Sequence, residues 1–380
     1  MRLAMLMLGL VIVVTANHAA SAADADQAAR KPVAVIQDGL LEVMSPSGHG
    51  MLSIHLTRDW ALPQPDVVRA VIFIHGWSRR DLHAGERAAR KVGNDAEHAI
   101  VITPQFLIPE DVEAHQLPAE MLRWGLDDWK AGFNARGPAP ISSFAAIDTI
   151  FNHLVDRKIF PNLKQVVLAG HSAGGQFVQR YALFGQGEEV LLKAGIPIRY
   201  VVANPSSYAY FDDQRPKPDG SFSQFDGAQC AKFNRWEYGL ASNVPAYARR
   251  PVVPEPLEQA YLARDVIYLL GTEDKDPNHP ELDRSCGGEA EGPTRFARGH
   301  SYLPICACSI AGKQPNAYSR FPASATIATT CTRLLAVWLR CSIMACALRK
   351  NPRVNEIGIL IWVPNRQFET APTQFLLLPP

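Results

Sequence analysis

The amino-acid sequence predicts an α/β domain built on a mostly parallel sheet, and three observations predict it. Apolar runs of four to seven residues alternate with longer segments of helical period, the pattern that crossover connections leave in a sequence. A small-residue turn, Gly170 to Gly174, stands between one apolar run and one helical segment. The 380-residue chain is 47% apolar, enough for a sizeable buried core.

Taken in order, AVIQDGLLEV and MLSIHLTRDW flank the Gly-rich SPSGHG and read as a β-hairpin that supplies an antiparallel edge. The strands AVIFIHG and AIVITPQF follow, separated by HAGERAARKVGNDAEH, which is helical in period. Ser142 and Ser143 cap a segment that keeps Phe144, Ile147, Phe151, Leu154 and Val155 on one helical face. The strand QVVLA, a helix after Ala173, the strand IRYVVA, a Pro- and aromatic-rich excursion from Asn204 to about Pro256, and the strand DVIYLL complete the pattern. The excursion at 205–256 is expected to form a cap over the strand ends.

The first 22 residues combine Arg2, an apolar stretch from Leu3 to Val14 and the small-residue site Ala20-Ser21-Ala22, which is the pattern of a cleavable secretory signal. The expected location is therefore secreted or periplasmic. That stretch is shorter than the ~20 residues that cross a bilayer, and the later apolar run 334–348 is broken by Arg340, so no membrane span is expected. A net charge of +1 gives no reason to expect nucleic acid as a partner.

Export bears on the cysteines, since disulfides persist in oxidising compartments. Residues 1–303 contain two, Cys230 and Cys286, which are expected to pair, the alternative being two separate buried thiols. Five more crowd into residues 304–380, where eight Lys or Arg face only two acids, Glu356 and Glu369. The domain division is thus a signal at 1–22, a catalytic domain at 23–303 and a divergent tail at 304–380, expected to be irregular and poorly ordered.

Gly170-His171-Ser172-Ala173-Gly174 matches G-x-S-x-G in the required context, with a strand before it and a helix after it. A sharp strand-to-helix turn strains the serine backbone, and only small flanking residues let the two segments approach. Ser172 is the expected nucleophile. His75-Gly76-Trp77 follows the strand AVIFI, and the backbone N–H groups of Trp77 and Ala173 are assigned to an oxyanion hole. Trp77 is expected to wall the pocket, and His75 to shape its loop rather than act as a base. After DVIYLL comes Gly271-Thr272-Glu273-Asp274, and a carboxylate at a strand end can orient an imidazole. Asp274 is the first choice, Asp276 the second and Glu273 the third; the alternative is an acidic cluster that solvates a loop or holds a cation. No second cluster stands at ligand spacing, so neither a metal nor a cofactor is expected.

IHGW, LAGHSAGG, ANPSSY and LLGTEDKD, with RFARGHSYL after them, resemble the secreted α/β-hydrolase family, in a bacterial branch. The resemblance spans residues 33–303. It implies the α/β-hydrolase fold, a Ser, Asp, His chain order, carboxylic-ester chemistry on a small-molecule substrate, and a Cys230–Cys286 disulfide.

The family pattern continues through a helix and a last strand to a loop of the form V-P-G-x-G-H-D. Here no histidine follows His300. His279 lies five residues past Asp274, between Pro277 and Pro280, too near to close a triad, and His300 comes too early. His300 is kept as a weak candidate base. Read one base earlier, however, the codons of Phe321 to Ile327 permit P-G-V-G-H-D. We therefore expect a reading-frame shift near Leu303, with 304–380 out-of-frame translation; the alternative is a genuinely divergent extension. Without its histidine the chain as written is expected to be a feeble hydrolase at best. Two other readings are a binding protein on the same fold and a serine peptidase. Trp124, Trp129, Tyr208, Tyr210 and Trp236 either line a substrate pocket or pack the cap.

Overall fold

The computed structural model describes residues 24–37, 39–90, 97–271 and 273–310, with side chains through 302, and the backbone of 359–362 and 369–370. The expected signal at 1–22 and most of the tail lie outside the described residues. Helix α1 (24–30) leads to the hairpin β1 (Gly39–Ser45) and β2 (Gly48–Leu56). Then come β3 (Arg69–Ile74), α2 (Ala84–Arg90), β4 (Ala99–Gln105), α3 (Pro109–Ala114), α4 (Ser143–Leu154), β5 (Gln165–His171), α5 (Ala173–Phe184), α6 (Glu188–Lys193) and β6 (Ile198–Ala203). The excursion holds the short pair β7 (Gln214–Pro216) and β8 (Phe222–Gln224), and ends in α7 (Pro254–Ala263). It returns to β9 (Val266–Gly271), followed by α8 (Cys286–Glu289) and α9 (Arg295–Ile310).

The main sheet runs β1-β2-β4-β3-β5-β6-β9, then β10 (Ile359–Trp362) and β11 (Glu369–Thr370). Strands β4, β3, β5, β6 and β9 are parallel, and the N-terminal hairpin joins antiparallel through β2 and β4, as the sequence predicts. The apolar character of β3 follows from burial on both faces. Ala70, Ile72 and Ile74 enter the main core, whereas Val71 and Phe73 face the side that α2 covers. The predicted cap of α4 is present: Ser142 Oγ accepts from the Phe144 N–H at 3.1 Å.

Helix α9 runs past residue 303 to Ile310. Among the described residues of the tail, β10 pairs antiparallel with β9 from Ile359↔Gly271 to Trp362↔Tyr268 and covers the edge of that strand.

Strand register fixes where the loops gather. Ile74 pairs with Gly170, His171 with Ala203, and Ala203 with Leu269. The segments after β3, β5, β6 and β9 therefore leave the sheet at one end, side by side. The excursion packs over α5, all of whose residues are buried. Polar side chains of α5 are matched by it: Gln176 Nε2 donates to Ser207 Oγ at 2.6 Å, and Arg180 Nη2 donates to the same oxygen at 3.1 Å. Cys230 and Cys286 are joined, with Cα atoms 5.6 Å apart, tying the excursion to α8. The aromatic residues left open between pocket and packing are settled: Trp124, Trp129, Tyr208, Tyr210 and Trp236 all lie in the main core. Trp236 Nε1, for example, donates to Ala131 O at 2.7 Å.

Candidate active site

Ser172 occupies the turn from β5 to α5 with φ 57° and ψ −119°, a conformation that non-glycine residues rarely adopt. The surroundings hold it there. A Cβ on Gly170 would lie 2.2 Å from Gly174 O, and one on Gly174 would lie 2.2 Å from Ile74 O. Both obstacles are main chain, so glycine is required at each position. The Ser172 N–H donates to Ala203 O at 2.9 Å, which ties the turn to β6.

The serine opens into a cavity of about 470 Å³ lined also by Trp77, Ala173, Gln176 and Tyr238. Ala173 is the first residue of α5, where N–H groups have no partner within the helix and favour negative charge. Trp77 and Ala173, the two expected oxyanion donors, thus border one space with Ser172. Trp77 is held in place by its indole N–H, which donates to Asp127 Oδ1 at 3.1 Å. The same carboxylate oxygen accepts from Lys130 Nζ at 2.5 Å. Burial works against the Lys130 charge, but Asp127 and Glu237 outweigh it and its pKa is raised. Burial pushes the Glu237 carboxyl up, against the pull of Lys130 and Arg180. This ionic group carries the wall of the cavity from the catalytic sheet to the excursion.

His75 shapes its loop, as expected. It is fully buried, its Nδ1 bonds Gly76 O at 2.8 Å, and its Nε2 accepts from the Phe106 N–H at 3.0 Å. Burial lowers its pKa to about 4, so the ring is neutral.

Asp274 is half-buried, while Asp276 and Glu273 are exposed. Asp274 Oδ2 accepts from Asn204 Nδ2 at 3.1 Å, and Asn204 Oδ1 accepts from the Gly271 N–H at 2.8 Å. Asn204 follows β6 directly, with φ 40°. It bridges the ends of β6 and β9 and aims the carboxylate, whereas Asp276 caps the Asn278 N–H in its own turn. Asp274 Oδ1 faces Arg295 Nη1 at 3.4 Å.

Among the described residues, no imidazole is hydrogen-bonded to Ser172 or to Asp274. His171 is held down to about 4 by burial and by the Arg295 charge. His279 is lowered by the same two causes, and its Nδ1 accepts from the Glu281 N–H. His300 is exposed on α9, with its ring beside Phe296. Sequence reasoning missed Asn204, Asp127, Lys130, Glu237 and Arg295. Only Asn204 carried a local signal, an Asn at a strand end where φ turns positive.

No curated protein matches the chain. Among solved structures, poly(aspartic acid) hydrolase-1 from Sphingomonas sp. KT-1 is 23% identical, covering 76% of this chain and 89% of that one with a TM-score of 0.48. The poly(3-hydroxybutyrate) depolymerase LpqC from Bordetella parapertussis is 18% identical, covering 72% and 78% with a TM-score of 0.47. The model of the "Alpha/beta hydrolase family" matches residues 71–305, more than half of the chain, from within β3 to within α9. With that match and the sheet order described above, the chain belongs to the alpha/beta hydrolase family.

Proposed function

We propose that this protein is an exported serine hydrolase of carboxylic esters. The observation that carries the reading is the strained Ser172 at the start of α5, opening into a cavity that Trp77 and Ala173 also line. Ser172 Oγ attacks the ester carbonyl, the N–H groups of Trp77 and Ala173 hold the oxyanion, and Asp274 orients the imidazole that takes the serine proton. The alkoxide leaves with that proton, and water then releases the acyl group from Ser172 by the reverse transfers. Residues 1–22 direct export and 23–303 form the catalytic domain.

The imidazole belongs to the frame-shifted stretch. The family match runs to residue 305, beside Leu303. The last base of the Arg320 codon followed by the first two of Phe321 also permits Val, so the neighbouring frame allows V-P-G-V-G-H-D without a break. Resequencing codons 295–330 tests the reading, and an intact single frame with no such stretch beside it would refute it. Labelling by a fluorophosphonate tests the chemistry: the frame-restored chain labels fast at Ser172, and the chain as written labels slowly. Ester and amide substrates assayed side by side separate an esterase from a peptidase.

One observation favours a second reading, a binding protein on the same fold. Asp274 has its charge matched by Arg295, so the site is electrostatically complete without a base. Slow labelling of both forms of the chain would support it.

A further inference from the structure

The fold brings together three side chains that the sequence keeps apart. His55 lies on β2, and His83 and Glu86 lie at the start of α2. Glu86 Oε2 is 3.3 Å from His55 Nε2 and 3.2 Å from His83 Nδ1, and the three atoms lie within 4.8 Å of one another. None of the three lines the cavity around Ser172.

We propose that His55, His83 and Glu86 form a binding site for a divalent transition-metal ion of the zinc class. Bonds of about 2.05 Å in a tetrahedral zinc site set neighbouring ligand atoms about 3.4 Å apart. The two imidazole-to-carboxylate separations already have that size, and the imidazole-to-imidazole edge lies within 4.8 Å. Two imidazoles and one carboxylate suit a borderline ion and leave a fourth position for water. The supports are in place. His55 and Glu86 are largely shielded, with side-chain exposures of 19% and 20%. His55 is fixed by its strand, opposite Thr103 of β4. Arg90 pairs with Glu86 Oε1, so the carboxylate turns Oε2 toward the two imidazoles. The other nearby cation, Arg87, is matched by Asp81. His83 directly precedes α2 and Glu86 lies in its first turn, but His55 comes to them only through the packing of α2 on the sheet, so the sequence alone does not show the three as a cluster. The ion would clip the N-terminal hairpin to α2.

The experiment uses the full chain, stripped with EDTA and with its free thiols alkylated so that the tail cysteines cannot bind. Titration with Co²⁺ is expected to give the visible ligand-field bands of a four- or five-coordinate site at one equivalent, and Zn²⁺ is expected to abolish them by displacement. His83→Ala, at a side chain half exposed to solvent, should weaken Co²⁺ binding at least tenfold while leaving the near-ultraviolet circular dichroism unchanged. Glu86→Gln should do the same. Absence of the bands in the unsubstituted chain, or bands of equal strength in His83→Ala, would overturn the proposal.

Discussion

The serine side and the acid side of the site are built differently. Around Ser172 the obstacles to movement are main-chain atoms within a few residues or on adjacent strands: Gly174 O, Ile74 O and Ala203 O. Around Asp274 the supports are side chains, Asn204 and Arg295, reached across 70 and 21 residues. A main-chain scaffold survives most substitutions and can be read locally; a side-chain scaffold depends on what the rest of the chain delivers.

The largest expected effect breaks the comparison outright. A frame-restored chain should exceed the chain as written in p-nitrophenyl acetate hydrolysis by about 10⁴- to 10⁶-fold, and Ser172→Ala should return it to that low level. If the chain as written is already brisk and loses its activity in His300→Ala, the acid side is complete in a way the geometry does not provide for.

The next effect sharpens it. Gly174→Ala should cost about 3 kcal/mol in denaturant unfolding, because its Cβ meets the Ile74 carbonyl and neither α5 nor β3 can retreat. Gly271→Ala puts its Cβ 3.0 Å from Asn204 Nδ2, the yielding end of a side chain. It should cost less than about 1 kcal/mol. Equal costs would mean that the two sides are equally rigid.

Acid weakens the serine side. His75 has a folded pKa of about 4 against 6.5 when unfolded, so the unfolded chain takes up a proton that the folded chain refuses. Its contribution is complete above pH 6.5 and is lost as pH falls toward 4; at pH 5 the loss is about 2 kcal/mol. His171 adds a loss of the same sign. Unfolding measured at pH 7 and pH 5 should show the slope, and His75→Gln should reduce it.

The smallest effect is on the acid side. Asn204→Ala in the frame-restored chain should lower kcat about tenfold, the loss of one buried hydrogen bond to a carboxylate. A fall in KM with kcat unchanged would show that Asn204 does not position Asp274 for the chemical step.

The same contrast explains what the sequence made legible. The strands, the Ser142 cap and the elbow at Ser172 are written in local periodicity and in small residues at fixed offsets, and each stands where it was expected. The Cys230–Cys286 pair followed from there being two cysteines before residue 304. Aromatic residues were undecidable, because a tryptophan in a long excursion carries no mark of whether its ring meets a cavity or a core. Trp77 borders the cavity and Trp236 does not, although both donate their indole N–H to an oxygen. The ionic group Asp127, Lys130 and Glu237 was invisible for a related reason: Asp127 and Lys130 are local neighbours, but Glu237 joins them only after the excursion has folded over α5.

The pairing of β10 with β9 has a consequence for contact between copies of the chain. A β-ladder reads backbone, not side chains, so the open flank of β9 accepts any extended segment that reaches it. Residues 359–362 cover that flank, so β9 itself is not offered as a template to an extended segment of another copy of the chain.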